Sequence, residues 1–361
     1  MRTTGKKRHL LIAGALLTAV LAACGSDGGT TSGTTAAPGT TAAPGTTAAP
    51  GTTAAPGATG TPGTAAPCKT PSGDSIKLAV NPWTGSAVNA YVAKSVIECN
   101  LGTPVEIVNI EENATWVGLD GGSLDAVLEV WPSGHAADYD TYVTQKKSVV
   151  DIGKLGPSAQ IGWYIPKYVL DAHPELATSE GFKDPALAKL FATAESGDLG
   201  QFLMGDPTYV SFDAQIIASL KLPLKYVVAG SEAALLTAMD KAVAAKTPIL
   251  LQFWQPHWKW ATGLPFVRVK LPDVTDACKA AAKAGGDGYA CDYPIDELYK
   301  VASAKLKEKN AAVYNVLSKL QLTTDQQNQI ASYVDSDKME AGAAAQKWVD
   351  ANAAVWQAWL G

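Results

Sequence analysis

The chain has 361 residues, with 29 Lys and Arg against 34 Asp and Glu, for a formal charge of −5. Setting aside Arg2, Lys6, Lys7 and Arg8, which precede an apolar run from Leu10 to Ala23, leaves 25 basic against 34 acidic residues, or −9. Such an acidic, exported chain excludes nucleic acid and anionic lipid headgroups as partners, and export excludes a cytosolic enzyme.

The N-terminus is expected to direct that export. A basic start, a short apolar run and small residues before Cys24 describe a secretory signal peptide over 1–23. The run is well short of the ~20 residues a membrane-spanning helix needs. Leu21-Ala22-Ala23-Cys24 resembles the bacterial lipobox, which implies lipidation of Cys24 and a membrane anchor. From Thr34 to Gly57 the hexapeptide TTAAPG repeats four times, and no charged residue falls between Asp27 and Lys69. With nothing larger than Pro or Thr to bury, residues 24–73 are expected to form a disordered tether.

Beyond Cys24 four cysteines remain, Cys68, Cys99, Cys278 and Cys291. An oxidising compartment favours disulfides over thiol chemistry, and the CxxC spacings of structural zinc sites are absent. Local pairing is favoured: Cys278 and Cys291 flank a Gly-rich loop, while Cys68 precedes the first strand and Cys99 ends the first helix.

Residues 74–361 supply 288 positions, near the size where a single core divides. Ile76–Val80 reads as a strand running into Asn81-Pro82-Trp83-Thr84-Gly85-Ser86, a turn with a capping residue. A helix is expected over about 87–98, then strands at Val105–Val108 and Asp125–Val130. Tyr226–Val228 and Pro248–Phe253 read as buried strands separated by a helix from Ser231 to Ala245. The last eighty or so residues read as mostly helical. This alternation predicts an α/β protein with largely parallel sheets.

Ligands of open α/β sheets sit beyond the carboxyl ends of strands. Several of the ten tryptophans are expected there. Trp83 follows the first strand, Trp131 and His135 follow 126–130, Trp163-Tyr164 follow Ile161, and Trp254-Gln255-Pro256-His257-Trp258 follow the strand Ile249–Phe253. One tryptophan at a strand end covers core; several can converge their π faces on one pocket. Such a box suits a quaternary ammonium, which donates no hydrogen bonds and is attracted by ring quadrupoles. Sugar stacking is the competing use, but these strand ends lack the Asp, Asn and Arg side chains a sugar wants. Trp116, Trp258, Trp260, Trp348, Trp356 and Trp359 are read as packing. Asp125 and Glu129 alternate on one strand, where a solvated face is the expectation and the orienting of a cage ring the alternative.

The segments Leu119–Trp131, Gly162–Pro166, Gly230–Ala233, Phe253–Trp258 and Cys291–Pro294, with the C-terminal AAQKWVDANAAVWQAWL, resemble the glycine-betaine-type substrate-binding proteins of ABC importers. The resemblance implies a two-lobed periplasmic-binding-protein type II fold with a hinge and an interlobe cleft. Lobe 1 would combine 74–163 with 266–361, and lobe 2 would span 164–265. It further implies closure on a trimethylammonium or dimethylsulfonium solute and delivery to an ABC permease. Trp131 and Trp254 match the family's cage tryptophans. The third aromatic falls in Gly205–Asp213, where the usual tryptophan is absent; Tyr209 is the choice and Phe212 the alternative. His257 matches a Pro-His-Trp histidine that can donate toward a ligand carboxylate. Backbone N–H groups around Val210 and Ser211 offer a second anchor, and Trp83 and Tyr164 are further cleft candidates.

Glycine betaine or a related quaternary ammonium osmolyte is thus the expected ligand of a monomeric protein on the outer face of the bacterial cytoplasmic membrane. A choline- or carnitine-preferring receptor and a signalling sensor are the alternatives. An enzyme is disfavoured: there is no GxSxG, HExxH or Walker A sequence, and only His135, His173 and His257 remain beyond the signal peptide. No cofactor and no metal are expected.

Overall fold

The computed structural model describes residues 68–361. The expected signal peptide, Cys24 and the tether up to residue 67 lie outside the described residues. Nine strands form one continuous hydrogen-bonded path, in the order β2-β1-β3-β9-β4-β7-β5-β6 with β8 added against β4. They are β1 (Ile76–Val80), β2 (Val105–Asn109), β3 (Ala126–Val130), β4 (Val149–Pro166), β5 (Gly200–Met204), β6 (Leu224–Val228), β7 (Leu250–Gln255), β8 (Phe266–Val269) and β9 (Asp296–Ser303).

Two parallel sets lie at the ends of this path. In the first, β1 pairs in parallel with β2 and β3, and in the second, β5 pairs in parallel with β6 and β7. Between them run antiparallel strands, with β9 against both β3 and β4, and β4 against both β7 and β8. The expectation of largely parallel sheets therefore holds at the two ends and is corrected in the middle. The 18-residue β4 joins the sets. It pairs with β9 through Ala159 and with β7 from Gln160 onward. Strand β8 pairs with the end of β4, from Trp163 to Pro166.

Trp163 and Tyr164, expected just past a strand end, lie inside β4, which runs on to Pro166. Their rings accordingly join the core: Trp163 tilts against Phe202 and Tyr164 against Trp260. After β1 comes helix α1 (Thr84–Leu101), which buries Val88, Val92 and Val96 and stops at Gly102 in the left-handed region at φ +69. Helix α2 (Glu112–Gly121) buries Trp116 and Leu119. The helix Glu232–Ala245 starts where the Ser231 side chain accepts from the Ala234 N–H, the capping interaction that satisfies a free first-turn donor. Four helices between Ala311 and Leu360 complete the chain, with Trp348 and Trp359 buried. No helix among the described residues is long and apolar enough to cross a membrane.

Both local disulfides are present, Cys68–Cys99 and Cys278–Cys291. The second closes a 13-residue separation around Gly285, Gly286 and Gly288, all at positive φ. A cross-link over so short a loop restricts the unfolded chain by roughly 3 kcal/mol. Replacing both Cys278 and Cys291 with serine is expected to lower stability by about that amount in a denaturant titration. An unchanged midpoint would show that this loop gains nothing from closure.

Candidate functional site

The carboxyl ends of β1, β3, β5 and β7 converge. Trp83 follows β1, Trp131 follows β3, Tyr209 lies in the loop after β5, and Trp254 is the next-to-last residue of β7. Together these four line one cavity, so each parallel set contributes two rings. Tyr209 stands edge-on to two of its neighbours, at 5.9 Å and 78° to Trp83 and at 5.6 Å and 88° to Trp254. Trp83, Trp131 and Trp254 are buried at 7–8 % exposure. The other walls come from Glu112, Ile161, Val210 and Gln252.

One buried carboxylate orients half of the cage. Glu129 Oε1 accepts from Trp83 Nε1 at 2.7 Å and from Trp131 Nε1 at 3.0 Å. Its Oε2 accepts from Asn89 Nδ2 and Gln327 Nε2, both at 2.7 Å. The expected solvated strand face for Glu129 is thus corrected, because α1 and the helix Thr324–Asp335 cover that side of β3. Burial pushes its carboxyl up to about 7, against the opposing pull of its donors, Trp83 first among them. A Cβ on Gly85 would lie 2.9 Å from Gln327 Nε2 and 3.2 Å from Glu129 Oε2, so the network needs glycine there. Asp125, the other carboxylate of that region, pairs instead with Lys309 at 2.7 Å.

Several hydrogen bonds join residues on the two sides of the cavity. The Val210 N–H donates to Glu112 Oε1 at 2.9 Å, and the Tyr209 hydroxyl donates to the Pro82 carbonyl at 3.1 Å. The Thr84 N–H, a free donor at the start of α1, donates to Glu232 Oε2 at 2.8 Å. Trp258 Nε1 donates to Asp335 Oδ2 at 2.6 Å. Glu232 supplies the acceptor that the start of α1 lacks, since Trp83 offers it no side-chain cap, and Asp335 accepts from the Thr84 hydroxyl.

The remaining site candidates fall elsewhere. His257 does not line the cavity: its Nε2 pairs with Glu232 Oε1 at 2.8 Å and its Nδ1 accepts from the Lys259 N–H. Both ring nitrogens are thereby occupied. Phe212 is buried behind the cavity, stacked on Tyr289 at 4.5 Å, while its N–H donates to the Tyr293 hydroxyl. Ser211 is not among the lining residues, and the Val210 N–H is taken by Glu112. Tyr164 is held in the core by Phe253 and Trp260.

Glu112 and Gln252 were not singled out from the sequence. Glu112 opens α2 beside Glu111 and reads as an ordinary first-turn acid. Gln252 did leave a signal, as a polar residue inside the buried strand LLQFWQ, two places before Trp254 and so on the same face. Glu112 also meets His135, whose Nε2 lies 2.8 Å from Glu112 Oε2 and whose Nδ1 lies 2.9 Å from Asp138 Oδ2. Burial pulls the His135 pKa down, but the hydrogen bonds and charges of Asp138 and Glu112 outweigh it and push it up to about 9. Trp116 Nε1 lies 3.1 Å from the same Nδ1; in the doubly protonated ring that nitrogen donates to Asp138, so the indole contact is then packing.

This pairing has a pH signature. A folded pKa of about 9 against 6.5 unfolded means the stabilisation is full below pH 6.5 and is lost as pH rises through 9. It amounts to about 3 kcal/mol, at 1.36 kcal/mol per pKa unit. Denaturant midpoints at pH 6 and pH 9.5 are expected to differ more in the wild type than in His135→Asn. Equal differences would remove the charged pairing.

Comparison with known proteins adds relatives to this geometry. Residues 74–351 match the family described as the substrate binding domain of ABC-type glycine betaine transport system. The chain is 29 % identical over 293 residues to a trimethylamine N-oxide-binding protein of Pelagibacter ubique, covering 79 % of this chain and 91 % of that one. Its fold is similar to that of lactococcal OpuAC in a closed complex with glycine betaine, with TM-score 0.63, 16 % identity, and coverage of 80 % and 100 %. A choline-binding protein of an ABC transporter, solved with choline, gives TM-score 0.63 and 17 % identity, with coverage of 79 % and 91 %.

Proposed function

The chain belongs to the family of substrate-binding domains of ABC-type glycine betaine transport systems, and from that premise we propose that it captures a small methylated ammonium solute inside four aromatic rings. As a member it is the binding component of an importer and not an enzyme. The observation that carries the finer reading is the cavity itself, which Trp83, Trp131, Tyr209 and Trp254 line from the ends of four strands. Each ring facing a cation contributes ~0.5–2 kcal/mol. Three or four such contacts supply a large part of the roughly 8 kcal/mol of micromolar affinity.

Closure follows from the division of the rings. Each parallel set carries half of the cage, so the box is complete only with the sets together, and a ligand stabilises that state by its differential affinity. The hydrogen bonds from Val210 to Glu112, Tyr209 to Pro82 and Thr84 to Glu232 belong to the closed arrangement. In this reading the closed form is what a membrane permease recognises. The protein acts as a monomer outside the cytoplasm, tethered by a lipid on Cys24.

Glycine betaine, choline and trimethylamine N-oxide, the compounds named for relatives of this chain, are the ligands to test. Calorimetric titration of folded, ligand-stripped protein is expected to give micromolar or tighter binding for at least one of them. No heat with any of the three would return the rings to packing.

A further inference from the structure

We propose that Glu112 makes the cavity select methylated ammonium ligands that carry no carboxylate. The inference rests on the quaternary-ammonium reading above and names the ligand class of that same site.

A ligand carboxylate requires a cation or free N–H donors. No Lys, Arg or His is among the residues lining the cavity, and the charged group there is the Glu112 carboxylate. The donors expected to serve a ligand carboxylate are already engaged by the protein's own acceptors. The Val210 N–H goes to Glu112, His257 Nε2 goes to Glu232, and the Tyr209 hydroxyl donates to the Pro82 carbonyl. The indole N–H groups of Trp83 and Trp131 are turned into Glu129.

The surroundings are acidic as well. The Tyr209 hydroxyl is held well above its ordinary pKa by burial first, and then by the charges of Glu232, Asp206, Glu112 and Glu129. Against these carboxylates stand the imidazoles His135 and His257, each in contact with one of them. A trimethylammonium group gains from that field, whereas a carboxylate meets like charge in a dry site where screening is weak.

The test is a titration of the full-length protein with glycine betaine, its isosteric carboxamide (carbamoylmethyl-trimethylammonium) and choline. The carboxamide and choline are expected to bind at least tenfold tighter than glycine betaine. In Glu112→Gln, which keeps an acceptor for Val210 but removes the charge, that preference is expected to shrink at least threefold. Glycine betaine binding as tightly as its carboxamide in the wild type would overturn the proposal, whether or not the variant folds. An unchanged preference in folded Glu112→Gln would overturn the role of Glu112. Silence from all three ligands with folded protein would instead sink the quaternary-ammonium reading, and this inference with it.

Discussion

Trp254→Ala is expected to weaken binding of a trimethylammonium ligand at least tenfold while the fold persists. Trp254 sits on β7 with 7 % exposure, its ring edge-on to Tyr209 and tilted against Phe253. Its removal deletes a cage face worth up to ~2 kcal/mol to a cation, and a tenfold loss requires about 1.4 kcal/mol. It also withdraws support from Tyr209, the ring shared between Trp83 and Trp254. Truncating a buried tryptophan costs about 3–5 kcal/mol of stability when it lies fully in a core. Here part of the ring borders empty space, so less packing is lost. Trp254→Phe, which keeps an aromatic face, is expected to retain most of the stability and part of the affinity. Unchanged affinity in folded Trp254→Ala, measured by calorimetry, would take this residue out of the cage.

Glu129→Ala carries the largest combined effect, on stability and on binding. It strips the acceptor from four buried N–H donors, those of Trp83, Trp131, Asn89 and Gln327. An unpaired buried donor costs about 1–3 kcal/mol, discounted where water enters the vacated space. A net loss of about 3–5 kcal/mol is expected in denaturant titration, in line with breaking other buried charged networks. Binding is expected to fall at least tenfold in the fraction that stays folded, because two of the four rings lose the anchor that fixes their planes. Glu129→Gln preserves volume and one acceptor oxygen, and is expected to lie between the wild type and the alanine variant in both measurements. A folded Glu129→Ala protein with wild-type affinity would show that packing alone orients Trp83 and Trp131.

Much of this was legible from the chain. The strands ending at Val80, Val130 and Gln255 were marked by short apolar runs, and the aromatic residues near their ends pointed to a common cleft. The helix Glu232–Ala245 was legible as a helix from Ser231 to Ala245. What escaped was the antiparallel centre. Strand β9, DELYKVAS, is buried from Leu298 onward on both faces, so it shows no alternation of apolar and polar residues. Lys300 masks it further: the side chain is fully buried, and its ammonium reaches the carbonyls of Leu317, Ser318 and Leu320. The first half of β4 is broken by Gly153 and Gly156, and Gly156 has the Leu322 carbonyl so close that a Cβ would clash. Glu112 was illegible for a different reason, since only tertiary contact with Val210 and His135 separates it from any other acid at a helix start.

The central claim is that the rings hold a positive charge rather than merely an apolar volume. Choline and 3,3-dimethyl-1-butanol separate the two, because they share a shape and a hydroxyl and differ in having nitrogen or carbon at the branched centre. Competitive calorimetric titration of the ligand-stripped protein with this pair is the most direct measurement. The cage predicts that choline binds at least tenfold tighter than the alcohol, and that Trp131→Ala or Trp254→Ala narrows the difference. Equal binding of the cation and its neutral isostere would contradict the account and leave an apolar pocket in its place.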